Sequence, residues 1–181
     1  QNFVISLFTE KFMKERTEKL IQKLSETFEG DPWFGQSLMR KLENVPYIIG
    51  YKTCVPDSHS VAEIVAHLIC WKKFVYEKLK NNEDFDITID SEMDWPEIKI
   101  HSKKEWEELK RDLVSAQFRI YEALREKPDD SYLSATVTGR EYDMEYLILG
   151  ILQHDVYHLG QIGLIESQLN KTESDSGVFK A

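Results

Sequence analysis

Along the C-terminal quarter of the chain, Leu147, Ile151, His154, His158, Ile162, Ile165 and Leu169 follow one another at steps of three and four and mark one mostly apolar face of a segment running from about Asp143 to Leu169. That spacing matches the 3.6-residue turn of an α-helix, so the segment is expected to be a long helix with one buried stripe. Such a stripe needs partners, and three more segments supply them. Residues 10–29 place Met13, Thr17, Leu20, Leu24 and Phe28 on one side before Gly30-Asp31-Pro32 stops the helix. Ser60-Val61-Ala62-Glu63 fits a capping box, in which the Ser oxygen takes an orphan amide proton and the Glu carboxylate reaches back to the cap. The helix it opens carries Ile64, His67, Trp71, Val75 and Lys78 inward. From Ser102 the period resumes through Trp106, Leu109, Leu113, Ala116, Ile120 and Leu124, ending at Pro128. The expectation is an all-α fold, a four-helix bundle in one domain over residues 1–181, with its core at about 10–170 and a polar, frayed tail from Lys171.

The connections differ in kind. A shorter helical piece is expected from about Trp33 to Leu42, with Trp33 packed, followed by a loop containing Pro46, Gly50 and Pro56. Residues 81–101 are acidic, contain one Pro and show no sustained period, so they read as a long crossover between the second and third main helices, with its charges in solvent. A connection of that length allows two neighbouring helices to run parallel. The β-prone stretch Ala135 to Tyr142, with Gly139 in its middle, is compatible with a small hairpin or an extended turn.

Composition excludes several classes of function. The chain is 41% hydrophobic and 30% charged, a globular balance, and its longest apolar runs are too short for a bilayer, so no membrane partner is expected. Its first residues, QNFVISLFTEKF, have neither the basic leader nor the small-residue cleavage site of a secretory signal. A net charge of −9 with Lys and Arg interleaved among Asp and Glu argues against nucleic acid. Cys54 and Cys70 form no CxxC pair and no disulfide framework, which makes a cytoplasmic location the simplest expectation. Cys70 is read as buried and inert, and neither thiol is assigned as a nucleophile.

Three histidines occupy positions that the helical pattern reserves for apolar side chains. One inward histidine is usually a satisfied core residue, and His67 alone decides little. His154 and His158 are one turn apart, so both rings project to the same side. Together they place three imidazoles where the stripes of two helices meet, and unpaired rings there would each cost roughly 1 to 3 kcal/mol of desolvation. A shared metal removes that cost, and three neutral imidazoles leave a further coordination position for water or substrate. His67, His154 and His158 are therefore the candidate ligands of one divalent transition metal: Zn first, with Ni, Co or Fe chemically compatible. His59 and His101 fall off the stripes and read as surface residues, whereas Gln161, one turn past His158, is placed to reach the edge of the site.

Three segments then resemble the DinB family, also called YfiT-like. Asp31-Pro32-Trp33-Phe34-Gly35-Gln36-Ser37-Leu38 is similar to an early family segment, His59 to His67 resembles the segment ending in the family's first ligand, and Gly150 to Ile162 resembles its H-x-x-x-H-x-GQI ending. The resemblance runs from about residue 10 to 170. It implies a DinB-like four-helix bundle with a long second connection, three histidine ligands at His67, His154 and His158, and assembly as a homodimer. It also implies a metal-dependent enzyme acting on a small-molecule substrate, with transferases that use a low-molecular-weight thiol among the relatives. The alternative is a non-catalytic bundle that binds a metal or small ligand, for which a closed fourth ligand and no open cleft are expected. His154-Asp155-x-x-His158 is also one residue from the HExxH helix of zinc proteases, with Asp in the place of the base.

Overall fold

The computed structural model describes residues 14–56 and 58–175. Four long helices carry the fold: α1 (Glu15–Phe28), α4 (Val61–Leu79), α5 (Lys103–Arg125) and α6 (Met144–Asp175), with two short helices, α2 (Leu38–Glu43) and α3 (Tyr47–Gly50), between the first pair. Among the described residues there is no strand, only an isolated antiparallel bridge between Thr136 and Asp143. No described helix is long and apolar enough to cross a membrane. Met13, the first stripe residue expected for α1, lies outside the described residues.

Local chemistry sets the helix ends. Ser60 Oγ accepts the Glu63 N–H at 3.3 Å while the Glu63 carboxylate accepts the Ser60 N–H at 2.7 Å, forming the expected capping box of α4. Ser102 caps α5 through the Glu105 N–H. The start of α1 is capped from a distance: Asp130, in a 3-10 turn at Asp130–Ser134, accepts the Arg16 and Thr17 N–H groups at 2.8 and 2.9 Å. At Gly30, where α1 ends, a Cβ would stand 2.9 Å from the Glu26 Cα, so only glycine lets the chain leave the helix there.

Four details depart from the sequence expectation. The segment with Pro46 and Gly50 is not all loop, because Pro46 starts a single helical turn that buries Ile49. Trp33 does not pack: it is 100% exposed, and Leu38 and Leu42 of α2 close the core in its place. The second helical piece starts at Leu38, after an extended Ser37. The last helix continues beyond Leu169 to Asp175, since no glycine or proline interrupts that stretch.

The crossover makes α4 and α5 parallel. Lys72 meets Gln117 near the middle of each helix, while Lys80 meets Glu126 and the Leu79 carbonyl meets Lys127 at their ends. Buried apolar side chains form two clusters, one around Phe28, Leu42, Leu68 and Trp106, the other around Leu24, Phe74, Ile120 and Ile148. Between them lies a polar layer. Lys72 Nζ, with its side chain fully buried, donates to both Asp155 oxygens at 2.8 and 2.6 Å and to Gln117 Oε1 at 2.6 Å. Burial pushes the Lys72 ammonium below its usual range and the Asp155 carboxyl above its own, each opposed by the other's charge.

Removing one partner of this pair would strand a buried charge. Lys72→Met is expected to cost about 3 to 5 kcal/mol in urea unfolding, and Lys72→Met combined with Asp155→Leu to recover most of that loss. A single variant within about 1 kcal/mol of wild type would contradict a structural role for the pair.

Candidate metal centre

His67 stands two turns into α4, at a position fixed by the Ser60 cap, and His154 and His158 stand one turn apart on α6. The fold brings all three together. His154 Nε2 lies 3.0 Å from His67 Nε2 and 3.1 Å from His158 Nε2, and the three ligand atoms lie within 4.8 Å of one another. His67 and His158 are buried and His154 half-buried.

The other ring nitrogens decide what faces inward. His67 Nδ1 lies 2.8 Å from the Asp94 backbone oxygen, which only accepts, so Nδ1 carries the proton. The Asp94 carboxylate adds a second acceptor at 3.0 Å. His158 Nδ1 donates to Gln161 Oε1 at 2.6 Å. Both rings therefore turn an unprotonated Nε2 toward His154. A single proton on His154 Nε2 can serve one of these lone pairs well, not both, whereas a shared cation serves all three. His154 Nδ1 is buried with no protein partner among the described residues. The donor set thus fits a divalent metal, and the group comprises three histidines with no carboxylate or thiolate among its described members.

Burial holds the cluster neutral. It pushes His154 down to about 3, reinforced by His158 and His67, and His158 down to about 4 against the opposing Gln161 hydrogen bond. Burial also lowers His67, partly offset by Asp94.

The crossover supplies what the sequence pattern missed. Its acidic residues are not all in solvent: Asp94 is buried, accepts the Trp71 indole N–H at 2.8 Å and receives the Asp90 N–H at 2.9 Å, so the turn is tied beneath His67. Trp95 stacks on the His67 ring at 3.9 Å, and His59 stacks on the outer face of Trp95 at 3.6 Å. His59 is exposed, as expected of a surface residue, yet it belongs to the site's wall; His101 is exposed and apart from it. The Trp95-Pro96 step inside an acidic run was the one available signal. Gln161 reaches the site as expected, bonded to an imidazole. Asp155 is held by Lys72 in the core, so it has no access to act as a protease-like base. Cys70 is half-buried, and burial raises its thiol above the usual range, which disfavours the thiolate.

One side of the cluster opens onto a cavity of about 610 Å³ whose walls include Trp71, Phe74, Tyr142, Leu147 and Tyr157. That volume lies in the range of small-molecule sites.

A family model described as the DinB superfamily matches residues 11–162, and the chain belongs to that superfamily. No curated protein and no solved structure matches the chain.

The depressed histidines set a pH dependence for the metal-free fold. Between about 6.5, where unfolded histidine titrates, and the lower values of His154 and His158, the unfolded chain binds more protons, so stability falls as pH falls. The urea midpoint of metal-free protein is expected to drop from pH 7 to pH 5, and to drop less in a His154→Gln/His158→Gln variant. Equal slopes in the two proteins would contradict the buried, neutral cluster.

Proposed function

We propose that this member of the DinB superfamily holds one divalent transition metal on His67, His154 and His158 and is a metal-dependent enzyme acting on a small molecule in the adjoining cavity. The observation that carries this reading is the convergence of two fixed Nε2 lone pairs on a third imidazole at the cavity's inner end. Zn suits three imidazoles best, and Ni, Co or Fe share that ligand preference. The finer reading is group transfer with a low-molecular-weight thiol, because a bound divalent ion supplies Lewis acidity and stabilises a thiolate at neutral pH.

The chain's own residues then have separate tasks. Asp94 and Gln161 fix the tautomers and ring planes of His67 and His158. Trp95 shields the outer face of His67 from water. The aromatic wall lowers the dielectric around a reacting group and so strengthens each charge interaction there. Group transfer is favoured over a purely structural ion by the three-histidine set without a fourth protein ligand among the described residues, together with the open cavity beside it. A cytoplasmic setting and a homodimer go with the proposal, supported by the two free cysteines and by the family.

Elemental mass spectrometry on tag-free protein tests the reading. Near-stoichiometric metal is expected in wild type and little in His154→Ala or His158→Ala, with thiol-dependent turnover of an electrophile in the loaded protein alone. Wild type that stays metal-free after reconstitution would overturn it.

A further inference from the structure

The cavity beside the histidines has a chemical bias that the metal reading does not supply. Among the described residues, no lysine or arginine lines it. The nearby cations are committed elsewhere: Arg140 pairs with Asp86 and lies over the Phe74 ring, Lys73 lies over Phe85, and Lys72 is locked in the core by Asp155. The lining carboxylate, Asp94, is also committed. Its Oδ1 takes the Trp71 indole N–H and stands 3.0 Å from His67 Nδ1, and its Oδ2 takes the Asp90 N–H. Apart from the ion proposed on the histidines, a ligand entering this space therefore meets neither a free cationic nor a free anionic side chain among the described residues.

What it meets is ring surface. Trp71 and Phe74 form one side, with their rings 5.4 Å apart, and Tyr142 and Tyr146 form another at 5.2 Å. Large side chains that a bundle would ordinarily cover stay open around the rim: Ile89 is 72% exposed, and Tyr146 and Tyr157 are each 64% exposed. The polar nitrogens converge at one end only. A charged group lying against this aromatic wall, away from the histidine end, would lose its hydration without gaining a partner, whereas a flat neutral one would exchange water for ring contacts.

We propose that the cavity takes an uncharged, ring-bearing organic molecule, lying against the aromatic wall with its reactive end toward the histidines. This names the substrate class of the site proposed above and rests on that reading. If the chemistry is thiol transfer, the cavity receives the neutral electrophilic partner, and the charged groups of a peptide-like thiol lie outside it.

Gly150 provides a variant that leaves the fold alone. It lines the cavity on α6, and a Cβ built on it meets nothing within 4 Å, so a larger side chain fills cavity space and also favours the helix. The test is fluorescence titration with two probes that share one ring system, neutral N-phenyl-1-naphthylamine and its sulfonated analogue 8-anilinonaphthalene-1-sulfonate, on metal-loaded and metal-free protein.

The neutral probe is expected to bind at one saturable site, at least about tenfold more tightly than the sulfonated one. Gly150→Leu is expected to weaken it by a similar factor without lowering the melting temperature. Gly150→Lys is expected to shift preference toward the sulfonate. Sulfonate binding as tight as neutral binding in wild type, or neutral binding undiminished in Gly150→Leu, would overturn the inference. Rejection of the neutral probe by protein that still holds its metal overturns this inference alone. Binding of the neutral probe by protein that never takes up metal leaves the cavity's preference standing and overturns the metal reading alone.

Discussion

A nitrogen lone pair buried in a protein needs a proton or a cation, and the centre of this bundle brings three imidazole nitrogens together with protons enough for only some of them. Asp94 and Gln161 hold the protons of His67 and His158 on Nδ1, which forces both Nε2 lone pairs inward onto His154. Packing without a cation leaves this arrangement under-satisfied, at a cost of the order of 1 to 3 kcal/mol for each unserved group. Stability and function are opposed at this point, and the scaffold has to hold the rings in place against that cost.

It does so with a polar layer. Lys72, Gln117 and Asp155 lie at one level of α4, α5 and α6, with an apolar cluster on either side, and Asp155 directly follows His154 in the chain. A buried ion pair of this kind adds little net stability over an apolar core, yet it fixes the register of the helices that contribute it. Sliding α6 against α4 by one turn would strand both charges, and the same slide would pull His154 and His158 away from His67. The crossover adds a second constraint, because Asp94 and Trp95 grip the far face of His67 from a segment with no helical period.

Much of this was legible in the sequence. The 3.6-residue period marked the four long helices, the Ser60–Glu63 box fixed the start of α4, and histidines on apolar stripes flagged the cluster. What stayed hidden has a common cause: local pattern carries no information about a partner far along the chain. Lys72 and Asp155 look like solvated charges until two helices place them 2.6 Å apart. Both helices are buried on more than one side, so reading a single stripe on each overlooked the second. Asp94 and Trp95 sit in an acidic, aperiodic run that resembles surface loop, and the opposite error befell Trp33, a large aromatic that the chain leaves in solvent.

X-ray absorption at the metal edge of the loaded protein tests directly whether three imidazoles share one ion. Three imidazole nitrogens at about 2.0 to 2.1 Å are expected, falling to two in His67→Ala. A sulfur scatterer, or a spectrum unchanged by that substitution, would contradict the shared ion.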